Sequence, residues 1–199
     1  STIEDPVEYR MPRINQSQVK PDIGYTFANG LRSLLRQDPD IIMVGEIRDN
    51  ETASLAVNAA LTGHLVFSTL HTNSASGALP RLLDMRVEPF LIASTVNVII
   101  AQRLVRTLCK EKISYKLSKD DLAALGKDVD LERVHAFLEE EHTIKKGTAW
   151  KDIPFYKPKP SADCEDGYHG RIGIHEVLIM SSAIRQLIMQ HATADQIEQ

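Results

Sequence analysis

The sequence predicts an α/β protein with a mostly parallel sheet, and three observations carry that prediction. Asp40–Glu46 reads DIIMVGE, a continuous apolar run closed by a carboxylate, the pattern of a strand buried on both faces. His64–Leu70 reads HLVFSTL, in which Val66 and Phe67 favour extended backbone. Between them, Asp49–Leu61 is rich in helix formers such as Ala53, Leu55, Ala56, Ala59 and Ala60, with Asp49 or Asn50 placed to cap the start and Gly63 to end it. Strand, helix and strand in this order make a βαβ unit, whose two strands run parallel.

The remaining elements follow along the chain. The opening STIEDPVEY is a short strand that Pro6 stops. Thr26–Gln37 places Phe27, Leu31, Leu34 and Leu35 at helical spacing, with Arg32 and Arg36 four apart on one face. Ser118–Leu125 and Leu131–Glu141 are short helix candidates. IPFYKPKPS at 153–161 cannot be regular helix, because each proline removes a donor and restricts the residue before it. GRIGIHEVLIM at 170–180 alternates and then turns apolar, as a strand returning to the sheet would, and Ser181–Gln190 begins a last helical stretch. Charge marks the organisation: residues 107–166 hold 11 Lys/Arg and 13 Asp/Glu, 24 in 60, against 26 in the other 139. The expected division is a core over 1–106, an inserted subdomain over 107–169, and a return strand with C-terminal helices over 170–199.

Composition narrows the function. With 199 residues, 43% hydrophobic and 25% charged, the chain can bury roughly 70% of its unfolded surface and fold without staples. The formal charge is 23 − 27 = −4, and no basic stripe dominates, which disfavours a general nucleic-acid binder. The longest apolar runs, IIMV at 41–44 and VIIA at 98–101, fall far short of the roughly 20 residues that span a bilayer. Cys109 and Cys164 are the two cysteines; neither sits in a disulfide framework or after a signal peptide, so a reducing cytoplasm is the expected compartment. The chain opens on Ser1, already inside an apolar and acidic segment, and reads as a piece of a longer protein.

Three places carry candidate chemistry. Glu4, Asp5 and Glu8 follow directly on a short strand, where acids at a strand's carboxyl end can orient water or magnesium, although such a cluster is also an ordinary solvated loop. Glu46 closes DIIMVGE as the acid of a Walker B strand does when it binds the magnesium of a nucleotide; a buried strand that ends in Gly-Glu is the bland alternative. Gly45 beside it would let backbone or ligand come close. His64 and His71 bracket one strand seven residues apart, an odd separation that puts them on opposite faces and excludes a shared metal while both remain in that strand. His71, followed by Thr72 and Asn73, can donate a hydrogen bond to a phosphate.

Taken in order, STIEDPVEY, INQSQV, GLRSLLRQDPDIIMVGEIRD, ETASLAVNAALTGHLVFSTLHTNSA and AQRLVRTLC resemble the motor ATPases of type II secretion and type IV pilus assembly over nearly the whole chain. The resemblance implies a RecA-like P-loop NTPase core with flanking helices plus a small helical or irregular inserted subdomain. It implies ATP and Mg2+ as cofactors, a homo-hexamer, and an inner-membrane platform protein as partner at the cytoplasmic face of that membrane, with no direct contact to nucleic acid. In the family's Asp, Walker B and His boxes, Glu4 would polarise the attacking water with Asp5 beside it, Glu46 would take the magnesium side, and His71 would sense the γ-phosphate, His64 beginning the same box. Arg32, Arg36, Arg48, and Arg171 of GYHGR match arginines of the family pattern and could compensate phosphate charge or bridge subunits. Ordinary salt bridges are the alternative, above all for Arg32 and Arg36.

Two departures from that pattern stand out. No G-x-x-x-x-G-K-[ST] segment occurs in the 199 residues; in the family this phosphate-cradling loop lies just upstream of the Asp box, so this stretch alone is expected not to hydrolyse ATP. Many members carry two CxxC pairs in the region matching 107–166, whereas this chain reads CKEK (Cys109, Lys112) and SADC (Ser161, Cys164). Half of the four ligands of a closed zinc site are gone, and His135, His142 and His169 lack a paired spacing, so no zinc is expected. Packing of Trp150, Phe155 and Tyr156 is then one source of order, a loop of aromatics and prolines packed on the surface being the alternative. Within the same superfamily, a retraction motor is an alternative that the insertion opposes, and a DNA-uptake or conjugation ATPase is another. A non-catalytic module of RecA-like shape is the alternative from a different class.

Overall fold

The computed structural model describes residues 1–127 and 129–198. By its contacts the chain divides into two units: Ser1–Arg103 joined by the chain from His175 onward, and Leu104–Ile174.

In the first unit, strands β1 (Thr2–Glu4) and β2 (Gln16–Gln18) are followed by helix α1 (Phe27–Leu34). Thr26 caps α1 by accepting from Asn29 N–H at 3.3 Å, and Leu31 and Leu34 face inward. The expected helix over Thr26–Gln37 is shorter than its periodicity suggested: Leu35–Gln37 tighten into a 3-10 turn that carries Arg36 off the helix. Strand β3 (Ile41–Val44), helix α2 (Asn50–Leu61) and strand β4 (Leu65–Ser68) form the βαβ unit. Asp49 caps α2 by accepting from Thr52 N–H at 2.8 Å, and Gly63 leaves it at φ +100°. The sheet order is β2-β1-β3-β4, all parallel. Two short helices, α3 (Ala78–Asp84) and α4 (Pro89–Thr95), come next. The core gathers Ile3, Leu31, Ile42, Val44, Leu79 and Ile92, all fully buried.

Two expectations are corrected by the way the sheet ends. Of the two strands expected to be buried, β3 is inner, with Ile42 and Val44 fully buried, whereas β4 is the edge of the sheet, with Leu65 and Phe67 about half exposed. An apolar run gives a strand its type, but its neighbours decide its burial, and β4 has a hydrogen-bonded neighbour on one side alone. Strand β5 (Val98–Leu108) leads out of the first unit and into the second.

The second unit adds β6 (Lys112–Tyr115), α5 (Lys119–Leu125), α6 (Leu131–Glu140) and β7 (Phe155–Pro158), and β8 (Tyr168–Ile179) carries the chain back. The return strand does not rejoin the four-stranded sheet: β8 pairs with β5 in a separate two-stranded sheet. The Pro-rich stretch is extended, β7 pairing antiparallel with β6 from Lys112↔Pro158 to Tyr115↔Phe155. Ser118 and Asp121 cap α5 reciprocally. Rings order the unit in pairs, Tyr115 with Phe155 at 6.1 Å and His135 with Trp150 at 5.5 Å. Tyr156 lies exposed beneath Lys112 Nζ, 4.2 Å from the ring centre.

The cysteines require a third correction. Cys109 and Cys164 are joined in a disulfide with Cα atoms 6.8 Å apart, although 55 residues of separation gave no sign of it in the sequence. The chain closes with α7 (Ser182–Met189), capped by Ser181, and α8 (Ala194–Glu198), both in the first unit.

Candidate functional site

Because β1, β3 and β4 are parallel, their carboxyl ends lie along one margin of the sheet, and each ends in a candidate residue. Glu4 closes β1, Gly45-Glu46 follows β3, and Thr69 to His71 follow β4. The backbone there is clasped from both sides. Gly45 N–H donates to Ile3 O at 2.7 Å on the β1 side; Ile47 N–H donates to Thr69 O at 3.0 Å, and Thr69 Oγ1 donates to Gly45 O at 2.6 Å, on the β4 side. A Cβ on Gly45 would lie 3.1 Å from Ile3 O and 3.2 Å from Glu4 Cα. Glycine is therefore what lets the end of β3 pack closely on the backbone of β1 at Ile3 and Glu4.

Glu46 is 92% buried by residue surface, being 8% exposed, which isolates a charge that needs partners. It has two, both on Oε2: His71 Nε2 at 3.0 Å and Arg48 Nε. A carboxylate only accepts, so His71 carries its proton on Nε2 and donates. Among the described residues no hydrogen bond falls on Oε1 of Glu46. Glu4 is half-buried and accepts from Thr2 Oγ1 and, at 3.1 Å, from Gln16 Nε2. Asp5 is exposed beside it, as is Glu8.

The structure thus joins Glu46, Arg48 and His71 in one hydrogen-bonded cluster and places Glu4 and Asp5 at the end of the neighbouring strand. It places the other candidates elsewhere. His64 lies at the amino end of β4, where Nδ1 meets Ala59 O at 2.9 Å and Thr62 Oγ1 at 3.1 Å at the end of α2. His71 lies past the end of β4, so the face-alternation rule that compared the two histidines does not apply to it. Arg32 pairs with Glu51 at 2.5 Å and with Asn29 Oδ1 at 3.2 Å on the exposed side of α1. Arg36 is in the 3-10 turn, and Arg171 is on β8 within the second unit. Sequence reasoning overlooked Gln16 and Thr69. INQSQV pointed to Gln16 only through resemblance, and a threonine at a strand end gives no signal of the carbonyl it will clasp.

Among the described residues there is no group of three or more His, Cys, Asp or Glu able to hold a metal. Magnesium does not require such a group, since this ion keeps several waters and is bound through one or two carboxylates plus substrate phosphates. Glu46 offers one hard oxygen for it, at the sheet margin where ligands of open α/β sheets bind.

A parallel sheet with flanking helices and acids at its carboxyl margin defines a RecA-like ATPase fold, and solved structures share it. The pilus retraction motor PilT with bound ADP aligns at TM-score 0.59 and 30% identity, covering 99% of this chain and 42% of that one. The ATPase DotB of Legionella pneumophila aligns at 0.55 and 24% identity, over 98% and 40%, and speaks for the fold alone. The chain belongs to the type II/IV secretion system protein family, whose model matches residues 1–199. It is 48% identical over 200 residues to type II secretion system protein E of Xanthomonas campestris pv. campestris, covering all of this chain and 32% of that protein. It is 44% identical over 199 residues to the type IV pilus assembly ATPase PilB of Myxococcus xanthus, again covering 32% of that protein. The chain therefore spans about a third of the length of these relatives.

Proposed function

We propose that this chain is the C-terminal catalytic part of a cytoplasmic, hexameric motor that hydrolyses ATP to drive pilus assembly or type II secretion through an inner-membrane platform protein. The single observation that carries the reading is the buried Glu46 at the end of β3, held by His71 and Arg48 and set beside the strand that ends in Glu4. Burial keeps this acid dry and fixed until a cation arrives, and its Oε1 faces no competing donor among the described residues. A magnesium ion bound with the nucleotide would supply charge neutralisation of the phosphates, and Glu46 would be the residue that holds it. Glu4, oriented by Gln16 and Thr2, accepts from the attacking water with Asp5 beside it. His71 and Arg48, both on Glu46 Oε2, are one hydrogen bond away from reporting a change at that carboxylate to the phosphate side. Arg32, Arg36 and Arg171 are assigned to phosphate or subunit contacts by resemblance alone, and residues 107–169 to an inserted subdomain in the same way.

The phosphate-holding loop belongs to an upstream segment of the longer protein. We propose that it seats at the free edge of β4, beside a cleft of about 530 Å³ lined by Leu65, Phe67, Thr72, Val98 and Ile100. An assembly or secretion role is preferred to retraction because the 48% and 44% relatives are secretion and assembly proteins, while the retraction motor is 30% identical.

The test is ATP turnover by this chain, by the longer protein, and by the longer protein carrying Glu46→Gln. Only the longer protein should turn over, and loss of the one acid should slow it by on the order of a hundredfold or more. Unchanged turnover in Glu46→Gln removes Glu46 from the magnesium role; no turnover in a folded, hexameric longer protein favours a non-catalytic RecA-like module.

A further inference from the structure

The second unit lacks the usual means of staying folded. Of its described apolar side chains, only Leu117 and Ile153 are buried, so little of its order comes from removing apolar surface from water. A closed four-ligand zinc site is the ordinary remedy for a module of this kind, and many members of the resembling family carry the cysteines for one. The residues present do not fit it. Lys112, where a cysteine would stand, lies over the Tyr156 ring. Ser161 and Cys164 are fastened to one another by backbone bonds of 2.9 and 3.1 Å. His135 is turned to Thr148 O at 2.6 Å and to Trp150. The two sulfurs that remain, of Cys109 and Cys164, are bonded to each other.

We infer that the Cys109–Cys164 disulfide takes the metal's place as the staple of the second unit and makes the order of that unit redox-sensitive, the bond being open in a reducing cytoplasm and closed under oxidation. The bond ties the end of β5 to the turn before β8, 55 residues on, and encloses β6, α5, α6 and β7. Closing a loop of that length favours the folded state of what it encloses by roughly a thousandfold in the chain-entropy picture. The backbone holds the two cysteines in register independently of the sulfurs. Cys109 N–H donates to Gly167 O at 3.0 Å, and Gly167 N–H donates to Cys164 O at 3.1 Å. Gly167 takes φ +73°, where a Cβ would meet Lys159 N at 2.8 Å, so only glycine makes this turn. Arg106 strengthens the same corner, pairing with Asp166 at 3.4 Å and lying 3.7 Å over the Tyr168 ring. A corner held this way keeps the thiols adjacent after reduction and lets the bond re-form.

Both cysteines are half-buried, so a small dithiol reaches them. The reaction is balanced by that reductant: its two thiols transfer two electrons and two protons, the Cys109–Cys164 bond breaks to two thiols, and the reductant leaves as a disulfide. The first unit holds neither cysteine and its core does not depend on the bond.

Thiol alkylation with intact-mass measurement, paired with amide hydrogen exchange on the whole chain, tests this. After oxidised glutathione there should be no free thiol, and after dithiothreitol two. Exchange across residues 110–163 should then accelerate by one to three orders of magnitude while the first unit stays protected. A Cys109→Ser/Cys164→Ser double variant should exchange like the reduced protein whether or not dithiothreitol is present. Two free thiols persisting after oxidised glutathione would overturn the inference, as would equal exchange before and after reduction. So would one zinc per chain whose chelation, with both thiols free, opens residues 110–163.

Discussion

The two units solve the same problem in opposite ways. The first buries Ile3, Leu31, Ile42, Val44, Leu79, Ile92 and Ile188 completely around a parallel sheet. The second buries little, and relies instead on a disulfide, ring pairs, helix caps and one short antiparallel strand pair. The difference teaches where each kind of function can be placed. Glu46 sits 8% exposed on a dense scaffold that fixes a charge to within a hydrogen bond, whereas a unit held by local contacts and one covalent bond is suited to yield when conditions change.

The largest effect that sharpens this contrast is a core truncation. Ile42→Ala removes a fully buried side chain from the central strand β3 and should destabilise the first unit by about 2–5 kcal/mol. Phe137→Ala removes a ring that is 58% exposed on α6 and should change stability by no more than about 0.5 kcal/mol. Urea denaturation followed by far-UV circular dichroism and by fluorescence of Trp150, the single tryptophan, separates the units. Equal losses for the two substitutions would break the comparison.

A smaller effect is expected from one methyl group at the site. Gly45→Ala places a Cβ 3.1 Å from Ile3 O and 3.2 Å from Glu4 Cα, both on the backbone of β1, so relief requires the strands to part by tenths of an ångström. The cost should be about 1–3 kcal/mol, and in the longer protein the displacement of Glu4 from Glu46 should lower turnover beyond what the stability loss explains. Wild-type turnover at full occupancy would show that the spacing of the two acids is not critical.

The same contrast explains what could be read from the sequence. Asp49, the alanines of α2 and Gly63 set the bounds of the crossover helix because caps and helix formers act locally. The acids at the margin were legible for the same reason: a strand that ends in Glu4 or Gly45-Glu46 puts the carboxylate at its end wherever the strand lies. Pairings between distant segments were not legible. Periodicity cannot say that β8 joins β5 rather than the main sheet, or that β4 is an edge. Arg36 left its helix face because the last turn tightened at Leu35, and His71 left the strand-face rule because β4 stops at Ser68. Val98–Leu108 gives no clear strand signal, since Ala101, Leu104, Val105 and Leu108 fall at helical spacing in a segment that folds extended. Two cysteines 55 apart specify neither a bond nor its absence.

The smallest prediction concerns a cap in the weaker unit, where local interactions should be visible one at a time. The Ser118 hydroxyl donates to Asp121 Oδ2 at 2.7 Å and Ser118 N–H at 2.9 Å, while Asp121 N–H donates back to the hydroxyl at 3.1 Å. Both donors favour the ionised carboxylate, so the Asp121 pKa is lowered from its ordinary 3.8, the Ser118 hydroxyl being the larger cause and its backbone N–H the second. A carboxyl depressed in the folded state contributes stability that is fully present above its unfolded pKa and is lost as pH falls through the folded one. The cap should thus hold α5 at neutral pH and release it only below about pH 4. Amide shifts of Leu122–Leu125 followed by NMR from pH 6 to pH 2 should show the step, and Ser118→Ala should move its midpoint up toward the ordinary carboxylate value. A midpoint that stays in place in Ser118→Ala would mean that Ser118 does not set the charge of the cap.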